Sequence, residues 1–292
     1  RHLHRSPALR RRGYCHHGAE VARMSNLAER DRRVIVLAAR RGEALDLMVP
    51  LAERPIVDHV LTLARKFAPP DQINVVVPAL DDKIRLHLQG DYQLIVQVEL
   101  RGTGHAVLQA SDALADFDGD LLILYGDTPL LRPSSLLGML HRHRHKDAVL
   151  TLLTAVTNAA LPYGRILRTR SGQILDIVEA ANTLTDTQQQ SELNLGAYVA
   201  RSMLLLDLLQ EMKSTGRNEL RLTDVIHRFL HTGGKVVSYL SHDPDEWLDI
   251  HDSDDLARAE FILQKRQFRP NRSEEKNEIH FGTGGWRAII GE

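Results

Sequence analysis

The chain has 292 residues, of which 43% are hydrophobic and 26% charged, the make-up of a soluble globular protein with room for one large α/β domain or two small ones. Its formal net charge of −1 gives no global pull toward nucleic acid or an anionic membrane, and no apolar run is long enough to span a bilayer. The single cysteine, Cys15, excludes an internal disulfide framework and a cysteine-built zinc site, and fits a reducing, cytoplasmic setting.

Residues 1–32 form a basic arm rich in arginine, including Arg5, Arg10, Arg11 and Arg12, with few acids. Such an arm can bind nucleic acid or act as a targeting peptide. Without a packed pattern it is expected to be unstructured, and Met24, just before the first strand, is a candidate natural start. A single folded domain is expected over 33–266, a polar linker over 267–277, and a separate short segment over 278–292.

Within the domain, 34–39 (V-I-V-L-A-A) reads as a buried strand. Residues 55–67 read as a helix, with Ile56, Val60, Leu63 and Ala64 on one face and a proline in its first turn. A strand at 73–77, a short helix at 81–88, a strand at 94–98, a helix from residue 104 and a strand at 120–125 follow. This alternation predicts a doubly wound, mostly parallel α/β sheet with helices on both faces. Past Pro133 the texture changes. A helix at 134–144, a strand at 148–156, short strands with turns at Pro162 and Ser171-Gly172, a strand at 193–200 and a helix at 203–212 predict a mixed extension that builds the second wall of a cleft. Helices at 222–231 and 252–266 bracket a strand at 235–240, and Asp252, Asp254 and Asp255 suit the dipole of the last helix.

Two strand ends carry chemistry. The strand L-L-I-L ends in Tyr125-Gly126-Asp127. A glycine there lets the backbone approach a ligand, and open α/β sheets bind ligands outside the carboxyl ends of their strands. An aspartate at that place suits Mg²⁺ held against a phosphate, because hard cations take oxygen ligands. Upstream, Gly102-Thr103-Gly104-His105-Ala106-Val107 stands between a strand and a helix, a turn expected to expose backbone N–H groups at a helix N-terminus. Each feature has an ordinary structural reading as a strand-ending turn. His141 and His145 lie one helical turn apart, but with no third ligand in view they read as a solvated helix end.

Taken in order, several motifs resemble the sugar-1-phosphate nucleotidyltransferases, and among them the uridylyltransferase domain of bacterial bifunctional N-acetylglucosamine-1-phosphate enzymes. They are Gln97 with G-T-G-H-A-V, L-Y-G-D-T-P-L, Pro162-Tyr163-Gly164-Arg165-Ile166, Ile177-Val178-Glu179, Glu192-Leu193-Asn194-Leu195-Gly196, Leu222-Thr223-Asp224-Val225-Ile226 and D-I-H-D-S-D-D-L-A-R-A-E. The resemblance implies a Rossmann-like, doubly wound mixed sheet of the nucleotide-diphospho-sugar transferase type. It implies a nucleotide site built from Ala38, Ala39, Gln97, Gly102, Thr103, Tyr125 and Gly126, and a sugar site from Gly164, Glu179 and Asn194. It places Mg²⁺ on Asp127, with His251 at the second metal position. The implied substrates are UTP and a sugar-1-phosphate, with no nucleic acid or membrane partner. The residue chemistry agrees: an amide reads a pyrimidine edge as both donor and acceptor, and carboxylate and amide groups grip sugar hydroxyls.

The chain departs from that family at two places. The family's phosphate loop is L-A-A-G-x-G-T-R-M followed by P-K, whereas here the strand runs into Arg40-Arg41-Gly42-Glu43-Ala44-Leu45 and directly on to Met48-Val49-Pro50-Leu51. Ala44 takes the arginine position, and the segment carrying the lysine is missing. Each lost transition-state contact typically costs ~10²–10³ in rate. Arg40 and Arg41 are the candidates to supply that charge from new positions, which leaves a weakened enzyme; a catalytically silent nucleotide-sugar-binding module is the competing reading. The second departure is His251, where the family has Asn or Asp; imidazole is a poor Mg²⁺ ligand. At the far end, Phe281-Gly282-Thr283-Gly284-Gly285-Trp286-Arg287 resembles the opening strand of the phosphohexomutases, F-G-T-D-G-W-R, so 278–292 is expected to begin a fused mutase domain.

Overall fold

The computed structural model describes residues 31–39, 45–158, 161, 163–179 and 191–267. Residues 1–30 of the basic arm, the phosphate-loop segment 40–44 and the mutase-like segment lie outside the described residues, whereas Arg32, expected in the arm, begins the first strand. The first half supplies β1 (Arg32–Leu37), a small hairpin of β2 (Pro50–Leu51) and β3 (Arg54–Pro55), α1 (Ile56–Ala64), β4 (Ile73–Pro78), α2 (Asp82–Leu88), β5 (Gln93–Gln97), α3 (Thr103–Leu108) and β6 (Asp120–Tyr125). The second half adds α4 (Pro133–His145), β7 (Leu150–Thr157), β8 (Arg165–Arg168), β9 (Ile174–Val178), β10 (Ser191–Arg201), α5 (Ser202–Ser214), α6 (Leu222–His231), β11 (Val236–Ser241) and α7 (Ser253–Gln267).

The apolar runs do what their composition demands. Val34, Ile35 and Val36 in β1, Val75 to Val77 in β4 and Leu121 to Leu124 in β6 are buried, as strands covered on both faces must be. They form one sheet in the order β11-β7-β10-β6-β1-β4-β5, with β8 and β9 attached to β10. β5, β4, β1 and β6 are mutually parallel. β10 runs antiparallel to both β6 and β7 and inserts between them. The sheet is therefore mixed. Two cores flank it: α1, α4 and Ala259 of α7 pack on one face, and α3, α5 and α6 on the other.

Boundaries move where side chains compete with the helix. α1 stops at Ala64, short of Phe67, whose N–H bonds the Ala64 carbonyl in a closing turn. The helix expected to run from 104 past 110 ends at Leu108. Ser111 and Asp112 follow, residue types that favour turns over helix interiors, and a single 3₁₀ turn spans Asp112–Leu114. His141 and His145 are exposed, as expected, whereas His143 between them is buried against the Thr151 hydroxyl at 2.9 Å. Among the described residues no helix is long and apolar enough to cross a membrane.

The strand order fixes where a ligand fits. From β1 the chain crosses to β4 and β5 on one side, then returns to place β6 on the other. The crevice at the carboxyl ends of β1 and β6, where Leu37 pairs with Tyr125, is a topological switch point, the usual ligand site of open α/β sheets.

Candidate active site

A cleft of about 460 Å³ opens at that switch point. It is lined by Ala39, Gln97, Gly102, Thr103, Tyr125, Asp127, Gly164, Glu179, Asn194 and His251, among others. The sequence scatters these residues from position 39 to 251, and the fold brings them around one hollow. Ala38 and Gly126 do not line it. A Cβ on Gly126 would stand 2.9 Å from Leu47 and 3.3 Å from the Ala38 backbone. The glycine is thus explained by close packing behind the cleft, which corrects the expectation that it opens the backbone to a ligand. Arg40 and Arg41 fall outside the described residues; Ala39 lines the cleft before them, and Leu45 after them donates its N–H to the His251 carbonyl at 3.1 Å.

One wall is the turn after β5. Gln97 ends that strand, and only 1% of it is exposed. Its Nε2 donates to His105 Nδ1 at 2.9 Å, which leaves Oε1 and one N–H for a ligand edge. Burial, reinforced by the charges of Lys213 and Arg101, holds the His105 pKa below the usual histidine value, so the ring stays neutral and able to accept. Gly102 caps α3 at φ +100°, and a Cβ there would stand 2.5 Å from the Leu220 carbonyl oxygen. That crowding also corrects the expectation that this turn exposes the N–H groups of its helix N-terminus. The Gly104 and His105 N–H groups both donate to Leu220 O, at 2.9 and 3.1 Å. The helix N-terminus is spent on the chain leading into α6, because the apolar packing of α6 beside α3 brings that carbonyl onto it.

The floor is Tyr125 from β6 and Tyr198 from β10, ring centroids 6.2 Å apart. Burial raises both phenol pKa values, so both hydroxyls stay protonated. Gly196, at φ +75°, is required here: a Cβ would stand 2.9 Å from the Tyr125 ring. The same glycine lies in a register shift of β10 between Asn194 and Tyr198. That bulge re-aims Asn194, whose Nδ2 donates to the Tyr198 hydroxyl at 2.8 Å, a common use of bulges at sites. Asn194 N–H bonds the Gly164 carbonyl at 2.8 Å. Opposite, Thr223 donates to Glu179 Oε1 at 2.5 Å. Gly164, Glu179 and Asn194 all line the cleft.

The acidic end joins Asp127, 9% exposed, to the segment before α7. Ile250 N–H bonds the Asp127 carbonyl at 3.0 Å, which sets Asp249 and His251 beside it on the lining. Asp249 accepts from the Tyr163 hydroxyl and, at 2.7 Å, from His251 Nε2. Burial and the Asp249 charge push the Tyr163 phenol well up. The described lining carries four carboxylates, Asp127, Glu179, Glu219 and Asp249, against one arginine, Arg221. Among the described residues no three histidine, cysteine or acidic side chains cluster as a metal site. That donor set fits Mg²⁺, which is commonly bound through one or two carboxylates with substrate phosphates completing the shell. It does not provide an all-protein cage for a softer metal.

With the geometry in place, a family model described as nucleotidyl transferase matches residues 44–266. The chain belongs to the nucleotidyl transferase family. It is 34% identical over 238 residues to a Streptococcus equi protein named "Bifunctional protein GlmU", covering 80% of this chain and 52% of that one. A Brevibacillus brevis protein of the same name is 36% identical over 238 residues, covering 80% and 51%. The chain thus spans about half the length of these relatives. Among solved structures, a Bacillus anthracis chain described as a glucose-1-phosphate thymidylyltransferase superposes with a TM-score of 0.68 at 16% identity, over 82% of this chain and 98% of that one. A CMP:2-keto-3-deoxy-manno-octonic acid synthetase superposes at 0.58 and 13% identity, over 81% and 99%. Those likenesses establish the nucleotide-diphospho-sugar transferase fold. Membership makes this nucleotidyltransferase an enzyme of the nucleotidyl-transfer type.

Sequence reasoning missed Tyr198 and Arg221 as parts of the cleft, and missed His105 as the residue that holds Gln97 although it stood inside a quoted motif. Tyr198 had no local signal, since an aromatic in a buried strand reads as core.

Proposed function

We propose that this nucleotidyltransferase joins UTP to a sugar-1-phosphate, N-acetylglucosamine-1-phosphate, giving the UDP-sugar and pyrophosphate, as a cytoplasmic enzyme acting on small molecules with Mg²⁺. The observation that carries this reading is the convergence of Gln97, Asp127, Glu179 and Asn194 on one cleft at the switch point. Gln97, with the Gly102-Thr103 backbone, takes the uracil edge. Glu179, Asn194 and Gly164 take the sugar hydroxyls. An oxygen of the sugar phosphate attacks the α-phosphorus, a new P–O bond forms, and the α–β bridging bond breaks to release pyrophosphate. Asp127 would hold Mg²⁺, which would supply counter-charge to these phosphates. The residues hold donor and acceptor in line and need supply no covalent intermediate. The acid-rich lining makes counter-charge necessary, and Arg40 and Arg41 provide it in this reading. His251 holds Asp249 rather than acting as a principal metal ligand.

Pyrophosphate release from UTP and N-acetylglucosamine-1-phosphate with Mg²⁺ tests this reading directly. The expected result is release that requires both substrates and stops on chelation. UDP-N-acetylglucosamine binding without release would mean a silent binding module. Failure to bind either substrate would remove the assignment. The F-G-T-G-G-W-R segment supports a further part of the proposal, that the chain continues into a mutase whose product this domain consumes.

A further inference from the structure

Resting on that reading, we infer that Thr103, although it stands in the base turn, is a positioning residue for the acceptor sugar, its hydroxyl acting through Thr223 on Glu179. The inference follows from the way α6 enters the cleft. The first N–H groups of a helix have no partner within it. Leu222 opens α6, is buried, and gives its N–H to Thr103 Oγ1 at 3.0 Å. The next residue is Thr223, whose hydroxyl donates to Glu179 Oε1 at 2.5 Å. Thr103, Thr223 and Glu179 all line the cleft. A hydrogen bond at each end of the Leu222-Thr223 pair therefore joins the base turn to the carboxylate assigned to the sugar.

The base turn itself is held without this hydroxyl. Leu220 N–H donates to the Arg101 carbonyl at 2.8 Å, and the Gly104 and His105 N–H groups donate to the Leu220 carbonyl. Removing the Thr103 oxygen leaves those three bonds in place and takes the partner from the N–H next to Thr223, a buried donor that is costly to leave unmade. The apolar face of α6, Leu222, Val225, Ile226 and Phe229, is buried; it sets the depth of the helix but not the direction of a hydroxyl in its first turn. That direction matters because a hydroxyl donates one proton. Thr223 spends its proton on Oε1 and leaves Oε2 to the sugar hydroxyls. A carboxylate already held by one oxygen meets the sugar without a further ordering cost. Losing either threonine hydroxyl frees the carboxylate and weakens the acceptor, while Gln97 and the turn backbone that take the base are untouched.

The test compares Thr103→Val and Thr223→Val, which exchange one oxygen for a methyl group, with the serine variants T103S and T223S, which keep the hydroxyl. Pyrophosphate release is followed with UTP, N-acetylglucosamine-1-phosphate and Mg²⁺, and KM is taken for each substrate with the other saturating. The acceptor KM is expected to rise about tenfold in T223V and about threefold in T103V, the scale of one hydrogen bond and of its indirect loss. The UTP KM is expected to stay within about twofold in both, and serine is expected to restore the acceptor KM. In a Glu179→Ala background, read as kcat/KM for the acceptor, neither valine is expected to cost more than about twofold further, because residues acting through one group are not additive. A merely structural role would move both KM values together, lower the melting temperature, and add in full to Glu179→Ala. Should T103V not fold, Thr103→Ala removes the same oxygen and must show the same acceptor-only pattern. A rise of the UTP KM in T103V equal to that of the acceptor, or an undiminished penalty without Glu179, overturns the inference while the nucleotidyl-transfer reading stands. Absence of pyrophosphate release in the wild-type chain overturns both.

Discussion

Gln97 Nε2 donates to His105 Nδ1 at 2.9 Å, so the amide proposed to read the base is oriented by a ring that must be neutral to accept. Burial already depresses the His105 pKa. A group depressed in the folded state favours folding above its ordinary pKa, and that contribution is lost as pH falls through the folded value. Binding should follow the same sense: affinity for UTP is expected to hold at neutral pH and to weaken once acidification passes below the usual histidine range. His105→Ala should raise the UTP KM several-fold to about tenfold, the scale of one hydrogen bond, and should remove that acid limb. An unchanged pH profile of the UTP KM in H105A would sink the argument.

Gly102 and Gly172 both have positive φ, +100° and +80°, but only Gly102 is crowded. Alanine at Gly172 meets open space and should cost about 1 kcal/mol of conformational strain. Alanine at Gly102 adds a Cβ at 2.5 Å from the Leu220 carbonyl, so the backbone must shift. The expected cost is ~2 kcal/mol or more, and a domain of this size loses roughly 2–4 °C per kcal/mol. Thermal unfolding of the two variants compares them directly, and equal melting temperatures would show that the contact with Leu220 yields freely.

Asp127→Asn keeps the side-chain shape and the backbone bond from Ile250, and removes a hard anionic ligand. Activity with Mg²⁺ is expected to fall by ~10²–10³, the scale of one lost electrostatic contact. The melting temperature should stay within a few degrees. Electron paramagnetic resonance of Mn²⁺ titrated with nucleotide provides a readout independent of turnover, and unaltered Mn²⁺ binding in D127N would place the cation elsewhere.

His251 bonds Asp249 at 2.7 Å, and imidazole is a poor partner for Mg²⁺. His251→Asn offers an amide oxygen at the same place, a harder ligand. The half-saturating Mg²⁺ concentration for pyrophosphate release is expected to drop several-fold. A rise instead would identify the histidine's hold on Asp249 as the more valuable contribution.

What the chain announces locally, it announces through short-range physics. The runs 34–39, 73–77 and 120–125 read as buried strands because β-branched and leucine residues, broken only by Asn74 and opened by Asp120, leave few alternatives, and the structure has β1, β4 and β6 there. Asp127, Glu179 and Asn194 were legible because each sits in a short motif, the first two just past a strand end and Asn194 inside β10, and all three line the cleft. The neighbours of β10 were not legible. Its antiparallel insertion between β6 and β7 depends on which faces pack together, and no local pattern records that. Its bulge at Gly196 decides which way Asn194 points and brings Tyr198 under the site. The Gly-Thr-Gly turn shows the same limit from the other side. Its residues indicate a tight strand-to-helix turn, but only the packing of α6 beside α3 decides that Leu220 takes the N–H groups expected to be exposed there. Element type follows from side chains within a few residues of one another; the partner of a given donor is set by chain more than a hundred residues away.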